Sequence, residues 1–372
     1  MINNFFRQTQ AEINLKNLEY NFKHIKSIIR PKTKILVPVK SDAYGHGLIP
    51  ISKKLIDLGV DFLGVRDIDE AIKLREANIK LPILILSLIF NKDIHLLPRF
   101  KLTPTICSRE QALILDKESA RRGLISPIHI KIDTGMGRLG INYSDAFNFI
   151  RDTNKLKSIK IEGLFTHFPK ADSDKEYTYY QISLFNNILV QLSRSSIDIP
   201  LIHAANSVGV LKYSLSHFNL IRPGIVIYGL SPKENLKLHL RPLMSVKTKI
   251  IFIKKVSRGQ GISYGHTYIA KTSRYIATLP LGYGDGYPRV LSNKADVIIN
   301  DKRYRIAGRV CMDQILVDLG SSSRAKFEDE VILLGESKNN KITASELADK
   351  ASTIAYEIVC GFGRLNHVYI DK

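Results

Sequence analysis

Residues 37–47 read Val37-Pro38-Val39-Lys40-Ser41-Asp42-Ala43-Tyr44-Gly45-His46-Gly47. The apolar run Ile35–Val39 predicts a buried strand that ends at Lys40, after which a loop rich in glycine and polar residues follows. Desolvation at the end of a buried strand lowers the pKa of a lysine and frees its amine as a nucleophile or carbonyl partner. Such an amine is typical of a Schiff base, most often with pyridoxal phosphate. An ordinary surface lysine remains the alternative for this stretch alone.

The length and composition suit a protein of two domains with a sizeable core. The chain has 372 residues, of which 44% are hydrophobic. No apolar stretch is long enough to span a membrane, and the N-terminus does not resemble a secretory signal, which favours the cytoplasm. Cys107, Cys311 and Cys360 are too few and too far apart for a disulfide framework or a zinc cluster, which fits a reducing compartment. We therefore expect no metal.

The formal charge of +20 raises the question of a nucleic-acid or membrane partner. The lysines and arginines are spread along the whole chain, and no basic block is interleaved with aromatic residues. This distribution favours a solvated basic surface over a nucleic-acid footprint.

The first two-thirds of the chain alternate between strand-like and helix-like segments. Eight apolar runs predict strands at Ile35–Val39, Phe62–Val65, Ile83–Leu86, Pro104–Cys107, Ile128–Asp133, Ile161–Thr166, Leu201–Ala204 and Leu220–Arg222. Helical periodicity between them includes Leu18–Ile29, Asp67–Ala77, Ser108–Arg121, Ser144–Thr153 and Tyr177–Leu192. Eight such units predict an α/β fold, a (β/α)8 TIM barrel with its active groups where strands end. A doubly wound open sheet is the alternative.

After Arg241-Pro242 the pattern changes to short strand-like segments. They are Ser245–Val256, Arg274–Leu279, Ala295–Ile299, Arg303–Val310, Gln314–Leu319 and Glu330–Leu334. Only one helix is predicted there, from about Ala344 to Ile354, with Thr343 as its cap. We therefore expect a barrel domain over residues 1–242 and a mainly β C-terminal domain over residues 243–372. The first ~12 residues are compatible with packing on the C-terminal domain.

Polar groups follow four of the predicted barrel strands. Arg138 could hold a carboxylate or a phenolate oxygen, and His167 could stack on a planar ligand. Asn206 or Ser207 resembles a helix cap, where phosphate binds well. Arg222 and Gly224 follow the eighth strand, beside the usual phosphate site of barrels. Each has a purely structural alternative, but four convergent strand ends favour a site. Loops of the second domain are rich in Gly and Tyr, and a tyrosine there could move a proton.

Taken together, these residues resemble one family, the alanine racemases. The resemblance covers essentially the whole chain: Arg7–Ile13, the lysine motif at 37–47, and the segments at 131–140, 163–172, 203–207, 222–229, 263–268, 282–289 and 308–313. Each motif alone is moderately specific, whereas nine in order on both predicted domains are very specific.

The resemblance implies an isomerase that interconverts L-alanine and D-alanine on pyridoxal 5′-phosphate and supplies D-alanine for peptidoglycan. Lys40 would hold the cofactor covalently, and Tyr264 of the other subunit would be the second acid/base. Two bases on opposite faces are what racemisation requires, because one removes the α-proton and the other returns one. The enzyme is therefore expected to be a homodimer with shared sites.

The resemblance also implies further roles at matching positions. Arg222, backed by His203, would hydrogen-bond the pyridine nitrogen, and its positive charge would disfavour protonation of that nitrogen. Arg138 would contact the cofactor's phenolic oxygen and the substrate carboxylate, with the Met312 backbone near that carboxylate. Lys131 matches a position that is carbamylated in some relatives. The remaining assignments are Tyr44, Ser207, Gly224 and Ile225 on the phosphate, His167 stacked on the ring, and Ala171, Asp172, Tyr283, Arg289 and Arg309 at the substrate-access channel.

One departure from the family pattern concerns the phosphate. Relatives commonly carry a Tyr before an Arg-Val-Pro-Arg stretch near the C-terminus, and that Tyr helps to bind phosphate. If Arg364 matches the first Arg, then Gly363 occupies the Tyr position. A lost hydrogen bond to a charged group is worth about 1.5–3 kcal/mol, so weaker cofactor retention is expected unless Arg364 or water substitutes.

Four alternatives stay open at this point. A basic-amino-acid decarboxylase of the same barrel class would pair the pyridine nitrogen with a carboxylate, which Arg222 argues against. A racemase for serine or lysine differs only in pocket size. A nucleic-acid-binding protein is motivated by charge alone. A non-catalytic cofactor-binding barrel typically lacks the domain that carries Tyr264.

Overall fold

A computed structural model describes residues 8–232 and 239–371. The chain divides into two compact units. The barrel unit comprises Asn21–Ala43 and Leu48–Ile227. The β unit comprises the described residues up to Tyr20, Tyr44–Gly47, and the described residues from Tyr228 onward. Arg7 and the rest of residues 1–7, for which packing on the C-terminal domain was considered, lie outside the described part.

The first half of the chain alternates strands and helices as predicted. Numbered along the chain, its elements are β1 (Gln10–Asn14), α1 (Leu15–Ser27), β2 (Lys34–Pro38), α2 (Lys40–Gly45), α3 (Leu48–Asp57), β3 (Phe62–Val65), α4 (Ile68–Glu76), β4 (Ile83–Ile85), α5 (Leu96–Phe100), β5 (Thr103–Ile106), α6 (Arg109–Arg121), β6 (Ser126–Asp133), β7 (Ile141–Asn142), α7 (Ala146–Thr153), β8 (Ile159–Phe165), α8 (Lys175–Arg194), β9 (Leu201–His203), α9 (Ser207–Lys212) and β10 (Leu220–Ile221). Of the helices, α2, α3 and α5 were not predicted.

The parallel strands form a nearly closed barrel. Their order is β10-β2-β3-β4-β5-β6-β8-β9, with the short β7 added to β6. Because β2 pairs with both β3 and β10, the first and last strands are neighbours, which excludes an open doubly wound sheet. Asn219 helps to close the remaining gap: it accepts from Ile202 N at 2.7 Å and donates to Pro200 O at 2.7 Å. The prediction of an eight-stranded barrel is confirmed.

The barrel interior changes from apolar to polar along its strands. An apolar cluster comprises Leu36, Phe62, Leu84, Leu201 and Leu220. Three polar residues lie shortly after members of this cluster in the chain: Lys40 after Leu36, His203 after Leu201 and Arg222 after Leu220. Because the strands are parallel, the polar groups lie toward their C-terminal ends, where barrel enzymes carry their sites. The fold thus places the predicted polar residues at one end of one barrel.

The second half of the chain is mainly β, as predicted. Its elements are β11 (Met244–Lys249), β12 (Phe252–Val256), β13 (Gly261–Ile262), β14 (Tyr268–Ile269), β15 (Arg274–Leu279), β16 (Asp296–Ile299), β17 (Lys302–Arg305), β18 (Ile315–Gly320), β19 (Glu330–Glu336), β20 (Lys341–Ile342), α10 (Ala344–Ala351), α11 (Ala355–Phe362) and β21 (Asn366–Ile370). One sheet has the order β17-β16-β19-β11-β1-β21, with β20 on β19. A second sheet is β12-β15-β18, and β13 and β14 form a hairpin. Residues 10–14 thus belong to a sheet of the C-terminal half.

Two predictions for the C-terminal half were wrong in detail. The predicted strand Ser245–Val256 is two strands, β11 and β12, which lie in different sheets. Only one helix was predicted there, at about Ala344–Ile354, and the structure has two: α10 ends before Ser352, which adopts a left-handed φ of 57°, and α11 follows from Ala355. The second helix is buried through Ile358, Val359 and Phe362. Within the described residues, no helix combines the length and the apolar character that a membrane crossing needs.

Candidate active site

The turn that follows Lys40 is left-handed. Ser41, Asp42, Ala43 and Tyr44 have φ of 53–54°, and Gly45 has a φ of 77°. The segment predicted as a loop is therefore a short left-handed helical turn, α2. Each non-glycine residue in a left-handed helical conformation costs about 1–2 kcal/mol, so other contacts must hold this turn.

A buried carboxylate holds the start of this turn. Glu70 is 6% exposed, and its Oε1 accepts hydrogen bonds from Ser41 N at 2.6 Å and Asp42 N at 3.4 Å. Its Oε2 accepts from Arg66 N at 2.8 Å. Charge-assisted bonds to backbone N–H groups are strong, and these offset part of the backbone strain. Glu70, which sequence analysis missed, thus fixes the backbone beside the half-buried Lys40.

Arg222 is a buried cation with neutral partners. It is 5% exposed, and its Nη1 donates to His203 Nδ1 at 2.8 Å. Its Nη2 donates to Thr166 O at 2.6 Å and to Ala204 O at 3.0 Å. Burial lowers the pKa of Arg222 to about 9, so the group remains charged at pH 7. Among the described residues, none forms an ion pair with Arg222 and none accepts from its Nε, so the Nε–H and the second Nη1–H can donate to a ligand.

Three more cations surround His167 near Arg222. Burial, together with the charges of Arg138 and Arg222, lowers the pKa of Lys131 to about 8. The pKa of His167 lies well below its usual range. Burial is the largest cause, and the positive charges of Arg222, Lys131, Arg138 and Lys40 add to it. His167 is therefore neutral at pH 7, and the strand ends carry an excess of positive charge. Such a concentration of cations favours an anionic ligand.

The loops after β9 and β10 meet through Ser207. Ser207 Oγ accepts from Gly224 N at 2.9 Å. Asn206, rather than Ser207, caps α9, because its Oδ1 accepts from Gly209 N at 3.0 Å. Ile225 is fully buried beside Gly224. The structure therefore joins two of the loops that were predicted to hold phosphate.

Tyr44 lies in the β unit with two other aromatic residues. Its ring centroid is 4.8 Å from that of Tyr228 and 5.9 Å from that of Tyr356. The Tyr44 side chain is buried, and burial raises the pKa of its phenol well above the usual value. At neutral pH this phenol is protonated and can donate a hydrogen bond.

The glycine- and tyrosine-rich loops of the β unit come together. Ser263 Oγ donates to Arg309 O at 2.6 Å, and Gly284 N donates to Met312 O at 3.0 Å. Tyr264 follows Ser263 and is 69% exposed, and Met312 is 54% exposed. The loops thus present Tyr264 and Met312 on the surface of the β unit in the single chain.

The residues assigned to the access channel differ in exposure and unit. Ala171, which is buried, and Asp172, which is exposed, lie in the barrel unit. The three that lie in the β unit are exposed: Tyr283, Arg289 and Arg309. Groups of three or more side chains able to hold a metal ion do not occur in the described ranges.

Gly363, for which the sequence comparison predicted a missing tyrosine, touches another glycine. A Cβ built on Gly363 would lie 2.6 Å from Gly45 Cα and 3.2 Å from Cys360 O. The φ of Gly363 is −57°, so its backbone conformation suits any residue. The glycine is therefore required by this close approach of two backbones and not by its dihedral angles.

Comparison with known proteins gives consistent matches over both halves of the chain. The family profile for the alanine racemase N-terminal domain matches residues 13–232, and that for the C-terminal domain matches residues 243–369. The alanine racemase of Halothermothrix orenii is 44% identical over 370 residues, which cover 98% of each chain.

Solved structures give the same result. An alanine racemase of Clostridium difficile superposes with a TM-score of 0.92 at 37% identity, covering 98% of this chain and 96% of that one. The alanine racemase from Bartonella henselae with covalently bound pyridoxal phosphate has a TM-score of 0.89 at 25% identity, covering 98% of this chain and 99% of that one.

Replacing Glu70 by Gln should weaken the turn after Lys40. One of the two carboxylate oxygens becomes an amide NH2 that faces a backbone N–H, so an accepting group is lost. We expect the cofactor-free protein to lose about 1.5–3 kcal/mol of unfolding free energy, measured by urea denaturation. Glu76→Gln, at the exposed end of the same helix, is the control and should change it little. Equal effects of the two substitutions would contradict a role for Glu70 in the turn.

Replacing Gly363 by Ala should destabilise the protein. Alanine normally stabilises a helical position by about 0.5–1 kcal/mol relative to glycine. Here the added Cβ meets Gly45, and overpacking typically costs about 1–3 kcal/mol. The sign of the change in the urea unfolding midpoint therefore tests the contact. A stabilising Gly363→Ala would show that the two backbones can separate freely.

Proposed function

Because this chain belongs to the alanine racemase family, we propose that it interconverts L-alanine and D-alanine with pyridoxal 5′-phosphate as cofactor. Members of the family are pyridoxal-phosphate-dependent isomerases. The D-alanine produced would supply peptidoglycan synthesis. The observation that carries the proposal is the buried Arg222, which has no acidic partner within residues 8–232 and 239–371, at the end of a barrel that also presents Lys40.

The residues present fit a planar, anionic pyridine cofactor. Arg222 can only donate hydrogen bonds, so it matches a pyridine nitrogen that accepts one. A cofactor that required a protonated nitrogen would need a carboxylate here, as the decarboxylase alternative does. The excess of cations near His167 suits the phosphate and phenolic oxygens of the cofactor. The donor set therefore favours racemisation over decarboxylation.

Pyridoxal phosphate, when bound, withdraws electrons from the substrate and makes its α-proton more acidic. We assign Lys40 Nζ and the Tyr264 hydroxyl as the two groups that move protons at the α-carbon. One removes the proton from one face while the other donates a proton to the opposite face, and their roles exchange in the reverse direction. Each side chain can exchange a proton on one face of the α-carbon only, so inversion requires both.

Arg138 and Met312 are assigned to the substrate carboxylate. The Arg138 guanidinium would bind a carboxylate and the cofactor's phenolic oxygen, and the Met312 backbone would lie near the same carboxylate. Lys131 lies within electrostatic range of Arg138, and its lowered pKa gives it an appreciable uncharged fraction near neutral pH. An uncharged amine is the form that reacts with carbon dioxide, which supports Lys131 as a carbamylation site.

The remaining assigned residues would hold the cofactor. Ser207, Gly224, Ile225 and the protonated Tyr44 are assigned to the phosphate. His167 would stack on the ring, as a neutral imidazole can without adding charge. Gly363 supplies no side-chain donor, so weaker retention of the cofactor than in Tyr-bearing relatives stays a prediction.

We further propose a homodimer in which residues 1–242 of one chain bind the cofactor and residues 243–372 of the other supply Tyr264. The exposure of Tyr264 and Met312 in the single chain supports this arrangement, because a proton carrier works best where water is excluded.

Isotope exchange tests the two-base assignment. Purified protein with pyridoxal phosphate and L-alanine in deuterated water should give D-alanine that carries α-deuterium. Lys40→Ala and Tyr264→Phe should each lower the rate at least about 100-fold, because each removes a proton carrier. Lys117→Ala and Tyr180→Phe, at exposed positions on α6 and α8, are the matched controls and should leave the rate unchanged.

Each negative result of this experiment would refute a different part of the proposal. Deuterium exchange without inversion would keep Lys40 and refute Tyr264 as the opposite base. No exchange with alanine, but exchange with serine or lysine, would refute alanine as the substrate. No exchange with any of these amino acids would refute racemisation.

Subunit complementation tests the shared sites. Inactive Lys40→Ala and Tyr264→Phe proteins are mixed after dissociation and allowed to reassociate. If Tyr264 acts on the other chain, each mixed dimer has one intact site, and about a quarter of wild-type activity returns. If both residues act within one chain, every site lacks one of them and no activity returns.

A further inference from the structure

A chain of side chains leads from Arg222 to the edge of the barrel. His203 Nε2 is 2.8 Å from His129 Nδ1, and His129 Nε2 is 3.4 Å from Glu162 Oε2. The two histidines are fully buried, whereas the Glu162 side chain is 31% exposed. His129 and Glu162 are therefore within ion-pair distance, but their atoms are not aligned for a hydrogen bond. Sequence analysis identified neither His129 nor Glu162.

The contacts at the Arg222 end of this chain require one tautomer of each histidine. A guanidinium only donates, so His203 Nδ1 accepts from it and the proton of neutral His203 lies on Nε2. That N–H donates to His129 Nδ1, so the proton of neutral His129 lies on its own Nε2. Burial lowers the pKa of both imidazoles, so both are neutral at pH 7. The chain therefore runs one way, from Arg222 to Glu162.

The strands around His129 are shaped to complete this chain. The pairing of β6 with β8 shifts register between Ile128 and His129, so that His129 pairs with Gly163 and Glu162 is the extra residue of a bulge. A bulge re-aims a side chain that would otherwise point to the other face. A Cβ on Gly163 would lie 2.6 Å from the His129 ring. The bulge brings Glu162 to the imidazole, and the glycine makes room for the ring.

We propose that Glu162 and His129 are positioning residues for Arg222. The Glu162 carboxylate favours the Nε2–H tautomer of His129, and hence the same tautomer of His203 that contact with Arg222 requires. Nδ1 of His203 is thereby kept as the acceptor that orients the guanidinium. The effect on catalysis rests on the proposed function, in which Arg222 faces the pyridine nitrogen. The tautomers are a property of the barrel unit and do not depend on that function.

The tautomers can be measured in the cofactor-free protein by 15N NMR of histidine side chains. Single His129→Asn and His203→Asn substitutions assign the signals. We expect both histidines to be protonated on Nε2 only, with Nδ1 as an acceptor. A protonated Nδ1 on His203 would overturn the proposal directly, because that nitrogen could not accept from Arg222.

Substitution of Glu162 separates positioning from a merely structural role. Glu162→Leu leaves the buried His129 Nε2–H without an acceptor, and this cost opposes the preference that Arg222 imposes. His129 and His203 should therefore become mixtures of tautomers, and kcat should fall about tenfold with little change in KM. Glu162→Gln keeps a carbonyl acceptor and should restore pure tautomers and most of kcat. Glu76→Leu, at an exposed position on α4, should change neither.

The outcomes distinguish this proposal from the proposed function. Unchanged His203 signals in Glu162→Leu would overturn the positioning role, whatever the activity. Pure tautomers in the wild type and mixtures in Glu162→Leu, in a protein that does not racemise alanine, would keep the tautomer chain and reject the function. A Glu162→Gln protein with mixed tautomers would also overturn the proposal, because an acceptor at this position would then be insufficient.

Discussion

The buried guanidinium of Arg222 is the constraint on which the polar interior of the barrel depends. A charge in a protein interior is tolerated only when hydrogen bonds satisfy it, and no carboxylate among the described residues pairs with this one. Its partners are instead a neutral imidazole, two backbone carbonyls and the face of Phe165, whose ring centroid is 5.2 Å away. His203 must therefore stay neutral. Burial, together with the charges of nearby cations that include Arg222, lowers the pKa of Lys131 and His167. The charge of Arg222 thus contributes to the protonation of its neighbours.

A second constraint fixes the backbone beside Lys40. The left-handed turn is strained at four non-glycine residues, and it directly follows the lysine that the proposed function requires. Loops that hold catalytic groups are usually positioned by a rigid scaffold. Here the scaffold includes Glu70, which binds Arg66 N at the end of one strand and Ser41 N beyond the end of the neighbouring strand. The carboxylate therefore links two adjacent strand ends of the barrel.

Sequence reasoning succeeded where the chain obeys local rules. Parallel strands buried on both faces read as continuous apolar runs, so Phe62–Val65 was predicted with its exact bounds and the barrel followed. The left-handed turn was not predictable, because residues such as Ala43 and Tyr44 rarely adopt positive φ and only tertiary contacts impose it. The bulge that re-aims Glu162 was also hidden, because strand alternation places that residue on the opposite face. The helix α11, which begins at Ala355, was not predicted, because Ile354 precedes it and offers no side-chain capping signal.

The glycine at position 363 shows how a structure changes the meaning of a substitution. The sequence indicates a missing hydrogen-bond donor, which a tyrosine at this position would restore. In the structure, the space for any Cβ is taken by Gly45, which belongs to the turn that begins at Lys40. A Cβ on Gly45 would in turn lie 2.4 Å from Val359 O, so both glycines are needed for the same contact. Because interiors are close-packed, a tyrosine at position 363 would require the turn to move as well. Gly363 is thus part of the packing of this turn.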